Sequence, residues 1–442
     1  MNAPGKLEKG LALVLLLVST GAFLNLFLKR GKFSFETNAG MPFMEVIWAG
    51  LYLLVLFFLI KEARGFWRLL LRGWPFLLLL AICLLSITWS DAKGLTARRS
   101  LALVATTVTG VYLAIRYSFK EQLKLLMTLA KISTVLSLIF GVLHLGTSVD
   151  NLSLGMYGIF LEHNSLLSII YEVLPVQELF EVWNEPWYGI YTQRNSLGIM
   201  MALSIVVFLL CSRLEPQEKW SAYLWAGLSL LLLFLSGSLT GLLSLFGVLV
   251  VAWLLRYTRR NPARARRVLV ASVGVAAIAL YFVAYHFSTV AAFFDRDVTL
   301  TGRTTVWGAS LILGMDHPWI GHGFNAFWLG DEGPSGEIRK LAGWDVPSAH
   351  NGYLEIWLDL GICGLAAFFL GFARHLWKAL GCFAREGQWE AAWPLLFLSF
   401  LFFVNLAQSY LLSPNYVLWI LYTAISCRVC LATASRAKEG AR

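Results

Sequence analysis

Long apolar stretches separated by polar connections recur along nearly the whole 442-residue chain, and about 17 to 25 apolar residues are what a helix needs to cross a bilayer. Twelve such runs are read, at 11–28, 43–60, 74–89, 100–116, 122–146, 189–211, 221–236, 239–256, 268–287, 351–374, 391–411 and 415–431. Each predicts a helix, because backbone groups facing lipid must find their hydrogen bonds within their own segment. The first run lacks the small-residue cleavage pattern of a secretory signal and eleven more follow it, so it too is read as a helix. The expected fold class is an all-α polytopic membrane protein of about 12 transmembrane helices, a single integral membrane domain over 1–442.

Composition agrees: 58% hydrophobic and 14% charged residues, with a mean hydropathy of +0.67, exclude a water-soluble globule of this length. Lys and Arg concentrate in cytoplasmic loops; they number 24 in one alternating set of connections and 11 in the other, which places both termini in the cytoplasm. The net charge of +10 is mostly this topology. The segment "RYTRRNPARARR" (256–267) reads as an orientation anchor against anionic lipid rather than a nucleic-acid site. None of the six cysteines lies in the two long external loops, and the CxxC of Cys427 and Cys430 has no second pair to complete a zinc site.

Two connections exceed ordinary loop length: 147–188, and 288–350 between the ninth and tenth runs, both on the external side by the charge count. Their tryptophans argue for folded lids. In the second, "TLTGRTTVWGASLILGM" predicts a short helix with Thr301 as N-cap, and "DHPWIGHGFNAFW" an irregular stretch broken by Pro318, Gly321 and Gly323. The loop ends in "SAHNGYLEIWLDLG", with His350 at the mouth of the next helix. Arg303 shares this loop. Arg194, in "YTQRNSLGIMMALSIVV", falls a few residues inside the sixth run, where an arginine costs about 2.5–3.5 kcal/mol on insertion scales. Two permanently charged guanidinium groups suit a pyrophosphate, and a histidine can take a proton near neutral pH. A lipid-linked pyrophosphate sugar would present its leaving group at this depth.

The motifs "TQRNSLG" (192–198), "SGSLTG" (236–241), "LTGRTTVW" (300–307), "GHGFNAFW" (321–328) and "SAHNGYLEIWLDLG" (348–361), in this order, resemble those of the O-antigen ligase and Wzy-type polysaccharide polymerase superfamily, especially its exopolysaccharide-polymerase branch. The resemblance implies a GT-C type fold in the bacterial inner membrane, acting on the periplasmic face. The implied reaction moves a glycan from an undecaprenyl-pyrophosphate donor to lipid A core or to a lipid-linked glycan, with no metal or other cofactor. Arg194 and Arg303 would then hold the pyrophosphate and His350 would be the general base. Asn195, Thr301, Trp307, His322, Asn325 and Asn351 are secondary substrate-binding candidates. Leu239 stands where relatives often carry arginine.

Other readings compete. His317 and His322 also suit loop packing, and Asp295 and Asp297 have a spacing known for divalent metals, although Arg296 between them can pair with both. Lys131, inside the fifth run, has no evident role. A twelve-helix secondary transporter fits the span count, but the halves do not resemble each other and the polar residues gather in one loop rather than at mid-bundle. A many-helical glycan polymerase of the cell-wall type is a third reading, against which "LTGR" and "AHNGYL" argue.

Overall fold

The computed structural model describes residues 4–22, 42–60, 72–143, 186–258, 303–331 and 333–439, together with Glu62, Gly65, Phe66 and Leu69. Among them the regular structure is helical: α1 (Lys6–Ser19), α2 (Pro42–Ile60), α3 (Trp74–Leu85), α4 (Lys93–Arg116), α5 (Phe119–Val142), α6 (Arg194–Leu214), α7 (Lys219–Leu235), α8 (Leu239–Thr258), α9 (Arg303–Gly314), α10 (Ser335–Ala342), α11 (Gly352–Glu386), α12 (Trp389–Val404) and α13 (Val417–Glu439). α5, α6, α8 and α11 are long and apolar enough to cross a membrane, and shorter apolar helices occupy 44–60, 74–88, 389–405 and 417–432. The ninth run, 268–287, lies outside the described residues, as do Thr301, Asp295 and Asp297 and nearly all of loop 147–188.

Polar residues set the boundaries. Ser118 and Glu121 form a reciprocal capping box that starts α5. Gln193 is extended (φ −142°, ψ 145°), so Arg194 is the first helical residue of α6 rather than several residues inside a span. The insertion cost expected for it is therefore not incurred. Lys131 finds a partner in the Trp225 ring, 5.9 Å from its Nζ.

The apolar window of α6 is 83% buried, against 28% for α8, so α6 is the centre around which α5, α7, α8 and α12 pack. Close approach of α6 and α8 needs small residues. A Cβ on Gly198 would stand 2.3 Å from the Ser238 Cβ, and one on Gly241 2.7 Å from the Gly198 carbonyl oxygen. On the other flank α13 packs on α4, and α11 on α3, α12 and α13. At the end of α4, Arg116 binds Glu8 (2.6 Å) and Glu62 (3.1 Å), tying α1 to the bundle.

Two features position the site. First, α11 breaks at Gly361, whose φ of 64° and ψ of −166° belong to glycine. The freed carbonyls of Leu358 and Asp359 accept from the His322 and Gly323 amides (3.0 and 2.9 Å), and the Ile362 and Cys363 amides donate to the Pro318 and Trp319 carbonyls (2.9 and 3.1 Å). The irregular stretch read from "DHPWIGHGF" is thus spliced into the helix. Around it, segment 303–350 folds on its own apolar cluster, including Val306, Phe327, Ile338 and Leu358.

Second, the eleventh run stops short of 411, because Asn405 ends α12. Its Nδ2 donates to the Leu401 carbonyl (2.7 Å) and its Oδ1 accepts from the Tyr410 and Leu411 amides (2.8 and 3.1 Å), while its backbone carbonyl accepts from Gly352 (2.9 Å). One buried carboxamide thereby folds the turn 405–411 and seats the start of α11.

Gly361→Ala will destabilise the protein by at least ~2 kcal/mol, since its Cβ would lie 2.2 Å from the Trp319 carbonyl carbon in a backbone conformation foreign to alanine; Gly308→Ala, on the exposed face of α9 with open space around it, will be neutral or stabilising. Asn405→Ala will cost about 2–4 kcal/mol by leaving two amides without their acceptor. Thermal unfolding of the detergent-solubilised protein measures all three.

Candidate functional site

The first cavity, about 260 Å³, lies where α6 and α8 begin, beside α9. It is lined by Arg194 and Asn195 from the first turn of α6, Leu239 and Thr240 from the first turn of α8, and Arg303 and Trp307 from the first described turns of α9. Helix N-termini carry unpaired amides and the positive end of the macrodipole. Among the described residues no carboxylate lines this space. Serine hydroxyls hold the α8 start: Ser236 accepts from the Ser238 amide (3.2 Å), and Ser238 accepts from the Gly241 amide (3.2 Å) and bonds Asn195 Oδ1 (3.0 Å). The Asn195 side chain thus joins "TQRNSLG" to "SGSLTG". Arg303 donates to the Ala407 carbonyl (2.9 Å), and Trp307 Nε1 to the Ala349 carbonyl (2.7 Å), beside His350. Two guanidinium groups and the N-termini of α6 and α8 give this cavity the chemistry that suits an anion.

His350 lines a second cavity, about 90 Å³, together with Asn325, Glu355, Asp359, Gln408 and the buried Arg99. The two cavities share a wall: Phe403, Leu406 and Ala407 face the first, and 408–414 face the second. His350 (φ 48°), Asn325 (φ 56°) and Leu412 (φ 51°) are left-handed non-glycines, and all three border this second cavity. Such conformations are uncommon and gather where function constrains the backbone. The His350 imidazole bonds Gln408 and packs against the Trp344 ring. Burial, with the nearby positive charge of Arg303, holds its pKa at about 4, only partly offset by the Gln408 bond. It is therefore neutral at physiological pH. Glu355 accepts from the Ala349 amide (3.0 Å) and the Ser409 hydroxyl (3.2 Å), and Asp359 Oδ2 accepts from the Asn325 amide (2.9 Å). The Phe327 backbone amide also faces the Asp359 carboxylate, and the Gln408 Nε2 is buried without a partner among the described residues.

The structure brings Arg194, Arg303, Asn195 and Trp307 to one cavity and His350 and Asn325 to its neighbour. The remaining candidates sit apart. His322 is buried, its Nδ1 3.2 Å from Asp91 Oδ2, and lines neither cavity. Asn351 caps α11, its Oδ1 accepting from the Tyr353 and Leu354 amides (3.0 and 3.1 Å). Sequence reasoning passed over Arg99, Glu355, Asp359, Asn405 and Gln408. Ionisable residues in otherwise apolar helices were the available signal: Arg99 in α4, and Glu355 and Asp359 four apart at the start of α11.

Residues 224–369 match the family model described as O-antigen ligase, Wzy_C. The match takes in Leu239, Arg303 and His350 but not Arg194. The exopolysaccharide production protein ExoQ of Rhizobium meliloti (strain 1021) is 28% identical over 193 residues, which is 40% of this chain and 43% of that protein. The similarity thus spans less than half of the curated relative. The chain thus combines several apolar helices long enough to cross a membrane with a stretch similar to the O-antigen ligase family.

Proposed function

We propose that the protein is a metal-independent membrane glycosyltransferase that moves a glycan from an undecaprenyl-pyrophosphate carrier to an acceptor sugar, and that the acceptor is another lipid-linked glycan, in keeping with its similarity to an exopolysaccharide production protein. The full chain would cross the inner membrane twelve times in a GT-C type arrangement, both termini cytoplasmic and the site periplasmic. The observation that carries the reading is the cavity on which Arg194, Arg303 and the N-termini of α6 and α8 converge.

In this reading the pyrophosphate sits between the two guanidinium groups and the acceptor hydroxyl reaches His350 from the adjacent cavity. His350 takes the hydroxyl proton. The acceptor oxygen bonds the anomeric carbon as the bond to the pyrophosphate oxygen breaks, with inversion. Stabilising the departing pyrophosphate is the larger contribution, and the base adds roughly 10²–10⁴-fold. The Gln408 amide nitrogen supplies hydrogen-bonding capacity for acceptor hydroxyls. Arg303 connects the steps: a donor anion on its guanidinium neutralises the charge that depresses His350, so the base gains proton affinity when the donor is in place. Arg194, Arg303 and His350 line two adjoining cavities, which supports an enzyme over the transporter reading.

Arg194→Gln and Arg303→Gln will each lower kcat/KM for a lipid-pyrophosphate donor by roughly 10²–10³-fold with a raised donor KM, while His350→Ala will lower kcat by roughly 10²–10⁴-fold with little change in donor KM; normal turnover of all three in liposomes ends the reading. An NMR titration of the His350 imidazole will show a midpoint near pH 4 in the free protein, rising on adding inorganic pyrophosphate and in Arg303→Gln, because the first offsets and the second removes a nearby positive charge.

A further inference from the structure

We propose that the cleft between α6, α8 and α12, at the end of the bundle remote from His350, is a binding site for an anionic phospholipid. α6 runs from Arg194 to Leu214, 21 residues, or roughly 30 Å at ~1.5 Å per residue. That length matches the hydrocarbon thickness of a bilayer. The cleft at its far end therefore lies at the opposite membrane surface from the anion cavity. Its volume is about 240 Å³, and its walls include the aliphatic side chains of Leu209, Val248 and Leu249, with Arg213 and Arg256 and, among the described residues, no carboxylate.

Each arginine stands in the last turn of its helix and so complements a macrodipole. Dipole compensation asks for one cation at each helix end, but not for an apolar cleft open between them. The Arg213 guanidinium lies 5.9 Å from the Trp389 ring centroid, a contact that holds it beside the cleft. At the same end Trp253 and Tyr257 stack with exposed rings, as aromatic residues do at headgroup depth. Two fixed positive charges over an apolar slot match a phosphate headgroup with an acyl chain beneath it.

The test titrates the full-length, detergent-purified protein with fluorescently labelled phosphatidylglycerol. Arg213→Ala with Arg256→Ala should weaken binding roughly thirtyfold, taking the usual worth of one arginine at an anionic lipid surface for each. Leu209→Trp, which fills the slot and keeps both charges, should weaken it as well. Arg385→Ala, at the same end of the bundle but outside the cleft, should leave binding unchanged, and neither phosphatidylcholine nor inorganic phosphate should displace the probe. Equal weakening by Arg385→Ala, displacement by inorganic phosphate, or unchanged binding in a double variant of native melting temperature would overturn the proposal.

Discussion

A helix in an apolar surround cannot be broken unless the amides and carbonyls it frees find partners, each unmet group costing several kcal/mol. In α11 the break at Gly361 is met by four backbone hydrogen bonds from 318–323, and the rest of the site depends on that splice. It carries "GHGFN" to the start of α11, sets the Asn325 amide against Asp359, and gives the second cavity one of its walls. Without it the left-handed residues around His350 would have nothing to over-determine their backbone.

Electrostatics divide the site into unlike halves. The cavity of Arg194 and Arg303 holds positive charge and helix N-termini, with no carboxylate among the described residues of its walls. Its neighbour mixes Arg99, Glu355, Asp359 and the neutral His350. Only the turn that follows α12 stands between them, and Arg303 is bonded to that turn through the Ala407 carbonyl. A permanent charge and a titratable ring are thus coupled across one layer of backbone.

Part of this is legible in the chain. Apolar run length locates the described membrane-length helices, while 268–287 lies outside the described residues, and "TQRN", "GRT" and "AHN" hold Arg194, Arg303 and His350, which line the two cavities. What was not legible arose from contacts that exist only in the fold. Asn405 sits in "FLFFVNLAQSY", where an isolated carboxamide gives no periodic signal, yet its hydrogen bonds end the helix. Gln408 looked like part of the same run for that reason. Arg99 was absorbed into a count of loop charges, although it is buried beside His350. His322, in "GHGFNAFW", is turned to Asp91 by the docking of its loop onto α11.

The shared wall limits how such a protein can diversify. Because the Asn405 carboxamide fixes 405–411 for both cavities at once, a change in that stretch disturbs the two together. Surfaces that touch only the His350 side, such as Pro347, Ser348 and Ser413, can vary alone. Under the proposed function, those are the positions at which acceptor preference can drift while the Arg194 and Arg303 side stays constant.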